Sequence, residues 1–259
     1  MNSNIATIKQ LLFITFILIG LASCENSENL NVNSIIDEAI FQSGTHHFAN
    51  ARVKFDFRDI SYTSHGKCGK FVFKREFSKD SAFIEDEFNQ KRLRRKVNQQ
   101  QVTLVDSLAN LYAESINSVF YFVQLPYRLN DKATQKKLIG TENIKGKDYH
   151  KIKVSFEEEG GGEDFEDTYI YWINKTSFKV DYLAYSFLIN GGGVRFREAV
   201  NFREVNHIQF ADYRNYKLNK NEKVEVEDLG KLYENGKLKL VSKIKKTKIE
   251  IELLENGCE

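Results

Sequence analysis

The feature that most restricts the fold is a period of two. Val53, Phe55 and Phe57 alternate with Arg52, Lys54, Asp56 and Arg58. Phe71, Phe73 and Phe77 alternate with Lys70, Lys74 and Glu76. Ile152, Val154 and Phe156 do the same with Lys151, Lys153 and Ser155, and Ile249, Ile251 and Leu253 with Lys248, Glu250 and Glu252. Side chains on a strand point to opposite faces in turn, so each run buries one face and wets the other, as antiparallel sheets do. Turn-forming clusters separate the runs, among them His65-Gly66, Gly160-Gly161-Gly162 and Asn235-Gly236. Their spacing suits hairpins rather than strand–helix–strand units.

Two segments read as helices. In Asn33 to Ser43, Ile35, Ile36, Ala39 and Ile40 share one face, and Gly44 can end the helix. In Asp106 to Leu125, Leu108, Leu111, Tyr112 and Ser115 fall at helical spacing, Asp106 can cap the start, and Pro126 follows the end. A third stretch, Thr168 to Ile189, is apolar or aromatic on both strand faces, so it is covered on both sides. The fold expected is α+β and mainly antiparallel β: a curved sheet, or half-barrel, wrapped around one or two helices. A sheet that encloses a helix without closing leaves a cavity. Its expected aromatic lining is Phe120, Phe122, Tyr169, Tyr171, Trp172, Tyr182, Tyr185 and Phe187. Residues 33–259 form a single domain in this reading. Residues 222–259 are a candidate peripheral C-terminal hairpin, and Lys243 to Lys248 a solvated charge run.

The N-terminus reads as an address rather than as fold. Lys9 precedes an uncharged run, Leu11 to Leu21, that is too short to cross a bilayer comfortably but fits a signal peptide. Leu21-Ala22-Ser23-Cys24 matches the lipobox cut by the lipoprotein signal peptidase. Residues 1–23 are then a signal peptide, Cys24 carries the lipid, and residues 24–32 are a polar tether. Glu25, where aspartate would suggest inner-membrane retention, favours the outer membrane facing the periplasm. Lysine plus arginine is 38 against 36 acidic residues, a net +2, which gives no electrostatic case for nucleic acid. Cys68 and Cys258 remain after lipidation. An exported chain can pair them, but two cysteines this far apart do not by themselves argue for a bridge.

Candidate chemistry is sparse. His46 and His47 lack a third ligand at matching spacing, and a surface or capping role suits them better than metal. Glu157 to Asp167 concentrates acid around three glycines and reads as a solvated hairpin tip; if calcium binds there, Asp164 and Asp167 flank the turn as ligands. No other metal and no cofactor is expected. Arg195, Arg197 and Glu198 follow a glycine run. With Asp181, Arg58 and Asp59 they form a candidate polar cluster that could grip a carboxylate or phosphate, or pair ions on an exposed face. No nucleophile–base set or nucleotide loop stands out.

HHFANARVKFDFRD, SINSVFYFVQLPYRLND, GGGEDFEDTYIYWIN, DYLAYSF and GGGVRFREA resemble an uncharacterised bacterial lipoprotein family over roughly residues 33 to 218. Some of its members carry a deoxyribose-phosphate aldolase label. That chemistry needs a Schiff-base lysine in an eightfold βα barrel, which this strand-rich, exported chain does not offer. In element order the chain is also similar to the lipoprotein carrier and receptor proteins LolA and LolB. That likeness implies a half-barrel holding acyl chains. The sequence therefore favours a membrane-anchored lipoprotein that binds a lipid, acyl chain or lipoprotein over an enzyme. The alternatives are an envelope enzyme or small-molecule binder using the polar cluster, and a structural subunit of an envelope complex.

Overall fold

In the computed structural model, residues 31–157, 167–187, 192–219, 223–255 and 258 are described. The signal peptide, Cys24, nearly all of the tether and Asp164 lie outside these residues.

The alternating runs form two curved, unclosed antiparallel sheets. The first takes β1 (Ala51–Phe57), β2 (Ile60–Lys67), β3 (Lys70–Lys79), β4 (Ala82–Phe88), β5 (Leu93–Val97) and β6 (Gln100–Val102) in sequence order. The second takes β7 (Thr134–Ile144), β8 (Lys147–Phe156), β9 (Tyr169–Asn174), β10 (Val180–Phe187), β11 (Gly193–Val205), β12 (Ile208–Leu218) and β13 (Leu238–Ile244). The last strand, β14 (Thr247–Leu253), returns to the first sheet and pairs with β1. The mainly antiparallel architecture expected from the period-two runs is what the chain adopts, divided into two sheets.

Helix α1 (Val32–Gln42) buries the face read from the sequence: Ile35, Ile36, Ala39 and Ile40. It ends at Gly44, whose φ is +65°. A Cβ there would lie 1.8 Å from the His207 carbonyl oxygen, so only glycine lets the helix end dock on the β11–β12 turn.

Helix α2 (Asp106–Val123) lies between the sheets. Ile116, Phe120 and Val123 pack with Phe55, Tyr62 and Phe73 of the first sheet. The Phe120 and Phe73 rings stack at 4.2 Å. On the other side Tyr121 packs with Tyr169 and Tyr171 of the second sheet. Two details of the helix differ from the sequence reading. Its N-cap is Val105, with no side-chain cap. Asp106 instead sits in the first turn, where a carboxylate complements the helix dipole. Leu111 is 59% exposed, because the helix rotates Ile116, Phe120 and Tyr121 inward instead.

The two-faced apolar stretch has two covers. All six residues of β9 are buried. Tyr169, Tyr171 and Ile173 face α2, whereas Ile170 and Trp172 face a second core with Val226, Leu229 and Tyr233. That second cover is a 3₁₀ turn at Val226–Asp228 and the short helix α3 (Leu229–Glu234). The C-terminal segment is therefore not a peripheral hairpin: α3 roofs the second sheet, and β13 and β14 join different sheets. Only Lys245 and Lys246 link those two strands. Because β14 pairs with β1, the chain end returns to the β2–β3 turn, and Cys68 and Cys258 are joined by a disulfide with their Cα atoms 5.6 Å apart.

Candidate functional site

A cavity of about 1120 Å³ opens between α2, the β5–β6 hairpin of the first sheet and the β7–β9 end of the second. Its apolar lining is Phe88, Leu93, Leu104, Tyr121, Phe122, Phe156 and Tyr169. These rings pack edge-to-face: Tyr121 lies 5.9 Å from Phe156 and 5.7 Å from Tyr169, and Phe156 lies 5.6 Å from Tyr169. The Tyr121 and Tyr171 hydroxyls hydrogen-bond at 2.6 Å, and burial pushes both phenols up, so neither ionises at neutral pH.

The opposite wall is charged. Asp86 on β4 has a fully buried side chain. Its Oδ2 accepts from Arg75 Nε at 2.7 Å and from Arg95 Nη2 at 2.8 Å, while Oδ1 accepts from Arg95 Nε at 2.7 Å. The Arg95 guanidinium lies 3.8 Å over the Tyr112 ring of α2 and faces the cavity. Arg75 also donates to Ser115 Oγ at 3.1 Å, tying the first sheet to the helix. Arg128, paired with Asp131, lines the far side, and exposed Lys91, Arg92 and Arg94 stand at the rim. The space is amphipathic, with more polar than apolar lining: an aromatic floor lies under a charged rim that carries Asp106, Glu114 and Asp131 beside the basic side chains.

The residues singled out in the sequence divide among several places. Phe122 and Tyr169 line the cavity, and Tyr185 stacks on Tyr169 at 5.3 Å. Tyr171 is buried behind them. Phe120 faces the first sheet instead. Trp172 and Tyr182 face away from the cavity, under α3, because strand alternation places them opposite Tyr171 and Leu183. Phe187 packs on Tyr185 at 6.3 Å near the end of β10.

The polar cluster does not assemble. Arg58 and Asp59 sit exposed, with positive φ, in the β1–β2 turn of the first sheet. Asp181 accepts from Tyr149 Oη at 3.0 Å, and burial raises its pKa. Glu198 faces α3, where it binds Lys145, Arg214 and Tyr216. Arg195 stacks on Phe187 at 4.8 Å. Only Arg197 turns toward the helix. Its guanidinium lies 3.8 Å over the Phe122 ring and Nη2 donates to Tyr185 Oη at 2.9 Å. Asp167 is buried at the start of β9. The His46 and His47 rings lie tilted against each other at 4.1 Å near His207, and among the described residues no group of three or more histidine, cysteine and carboxylate side chains could hold a metal.

The sequence reading missed Arg75, Asp86 and Arg95, although each falls in step with the buried apolar positions of its strand (Phe71 and Phe73, Ile84, Leu93), and it missed Arg128, which lies in the 3₁₀ turn Tyr127–Asn130. It also missed Lys246. That residue sits in the apparent charge run but is 7% exposed, facing a second, smaller pocket of about 30 Å³ whose wall includes Phe122 and Tyr213.

Comparison with known proteins gives a family match over residues 10–246, to a family of unknown function (DUF6503). No curated protein matches. Among solved structures the chain is similar to a LolA superfamily protein from Nitrosomonas europaea, at TM-score 0.46 and 10% identity, covering 86% of this chain and 93% of that one. It is similar to a DUF1329 family protein from Desulfovibrio piger at TM-score 0.45 and 11% identity, covering 88% and 95%. It is also similar to the lipoprotein LppX from Mycobacterium tuberculosis, at TM-score 0.27 and 14% identity, covering 76% and 100%.

Proposed function

We propose that this chain, which belongs to the DUF6503 family of unknown function, is an envelope-anchored binding protein that takes an acyl chain or similar apolar molecule into the cavity beside α2. The observation that carries this reading is the cavity itself. Its volume of about 1120 Å³ exceeds the ~300–1,000 Å³ typical of small-molecule sites. Its floor is aromatic and its rim is charged, which suits a ligand with a long apolar part and a polar end.

Two features support the location. The lipobox ending at Cys24 supports a lipid tether. The Cys68–Cys258 disulfide suits an oxidising compartment outside the cytoplasm. Glu25 favours the outer membrane, facing the periplasm. A tethered cavity receives or presents its cargo locally rather than carrying it across a compartment. The enzymatic alternative loses support, because Arg58, Asp59, Asp181 and Glu198 do not converge with Arg197 in one cavity.

Native mass spectrometry of the full-length protein from a bacterial host tests the proposal. Co-purified lipid, released on unfolding, is the expected result. A ligand-free protein that also fails to bind a hydrophobic dye while folded would overturn it.

A further inference from the structure

The inward face of the first sheet carries a charged row between two apolar ones. Strand register places Arg75 of β3 opposite Asp86 of β4, and Asp86 opposite Arg95 of β5. The next row on that face is Phe73, Phe88 and Leu93, and the row on the other side is Phe77, Ile84 and Val97. The three charged side chains are each at least nine-tenths buried. Stability alone does not account for such a row, because well-packed apolar side chains in place of buried ions are often as stable or more so. Nor is the row neutral. Both Asp86 oxygens are taken up by two guanidiniums, so the three side chains together keep one positive charge.

That charge borders the large cavity. Arg75 turns to Ser115 of α2, whereas Arg95 lines the cavity wall. Leu93, two residues before Arg95 on the same strand face, starts the apolar lining about 7 Å away along the strand. Further cations stand at the mouth. Lys91 and Arg92 sit in the β4–β5 turn, which the Asn89 side chain fixes by accepting their backbone N–H groups at 3.2 and 2.9 Å. Both line the cavity, as does Arg94. Among the acids of the lining, Asp131 is held by Arg128, and Asp106 and Glu114 stand on α2, which leaves five cations to three carboxylates.

We propose that Arg95 binds the anionic head group of an amphiphile, a carboxylate or a phosphate monoester, whose apolar tail runs from Leu93 across the aromatic floor. A guanidinium suits either oxyanion, since its N–H donors lie in one plane and match a pair of oxygens. Arg95 Nη1 takes no part in the Asp86 contact and supplies the donor. The inference rests on the reading of the cavity as an acyl-chain site and names the class of head group.

The test is calorimetric titration of the ligand-stripped full-length protein with decanoate, decyl phosphate and decanol, all below their micelle thresholds, and with acetate and inorganic phosphate. At least one of the two decyl anions is expected to bind about ten-fold more tightly than decanol, and the tighter of the two names the head group. Acetate and inorganic phosphate should not bind measurably. Arg95→Met should abolish the preference for the anion and leave decanol unchanged, while Lys74→Ala, on the wet face of β3, should change neither. Equal wild-type affinity for decanol and both anions overturns the head-group site and leaves the cavity reading intact. A preference that survives Arg95→Met overturns the assignment to Arg95. Acetate or inorganic phosphate binding as tightly as its decyl counterpart overturns the amphiphile in favour of a free anion. Binding of no amphiphile overturns both the site and the cavity reading. If Arg95→Met does not fold, the triple variant Arg75→Met/Asp86→Leu/Arg95→Met takes its place: the row is then apolar throughout, and the same loss of preference is expected.

Discussion

The hydroxyls of Tyr121 and Tyr171 meet at 2.6 Å, and this contact joins α2 to the middle of the second sheet. Both phenols are buried, so each hydroxyl depends on the other for a partner. Removing one strands its mate, at a cost of about 1–3 kcal/mol, whereas removing both leaves nothing unsatisfied. Tyr121→Phe and Tyr171→Phe are each expected to destabilise by that amount, and the double variant by less than the sum of the two. Urea denaturation of the four proteins checks this. A strictly additive cycle would show that the hydroxyls do not interact.

Asp86 neutralises two arginines at once. Asp86→Ala leaves Arg75 and Arg95 buried against α2 without a counterion, and a loss of about 3–5 kcal/mol follows. Lys74→Ala is the control: its partner Glu87 lies on the wet face, and the cost should stay under about 1 kcal/mol. Denaturation midpoints that fall equally for the two variants would refute the role given to Asp86.

The Cys68–Cys258 bridge closes a loop of nearly the whole domain, and both residues are exposed. Cys258→Ser, or reduction of the wild type, should lower stability by about 2–5 kcal/mol. Thiol titration under denaturing conditions before and after reduction measures the bridge directly. Two free thiols at Cys68 and Cys258 in oxidised protein would exclude it.

Lys246 makes the protein less stable at neutral pH than it would be with an apolar residue there. Its pKa falls from 10.5 in the unfolded chain to about 8 in the fold. Below pH 8 both states hold the proton and the full penalty applies, on the order of 3 kcal/mol. Between about pH 8 and 10.5 the folded lysine is neutral while the unfolded one is still charged, so stability from this group rises with pH. Lys246→Met should therefore melt higher than wild type at pH 7, and the gap should shrink by pH 10. Asp212, Arg203 and Arg197 surround the group in both proteins, so the difference isolates Lys246. A gap of constant size at both pH values would contradict the assignment.

Local pattern carried most of the fold. The face of α1 was legible because Ile35, Ile36, Ala39 and Ile40 obey one helical period without interruption. Strands such as β1, β3 and β8 were legible because one face of each is wetter than the other. The double burial of β9 could be read, but not its second cover, since α3 is six residues long and lies more than fifty residues downstream. The disulfide was not legible because it depends on β14 crossing to β1, a pairing between residues about two hundred positions apart. The polar cluster dispersed for a local reason. Arg197 and Glu198 are adjacent, so the strand sends them to opposite faces, Arg197 onto Phe122 of α2 and Glu198 to Tyr216 on the α3 side. Lys246 was hidden by its neighbours: in a run of lysines, nothing marks the one that turns inward where the chain leaves one sheet for the other.

That crossing gives the two sheets unlike margins. At one margin β13 and β14 are separated by two residues, and Arg203 and Asn206 of the second sheet bond to the carbonyls of Lys246 and Ile251. At the other margin, β6 and β7 are the sheet edges among the described residues, and α2 and the 3₁₀ turn Tyr127–Asn130 lie between them in the chain. The unit from Val32 onward is therefore built like a purse, sewn along one side and clasped by a helix along the other. Spreading the edges at the clasp would break no strand ladder.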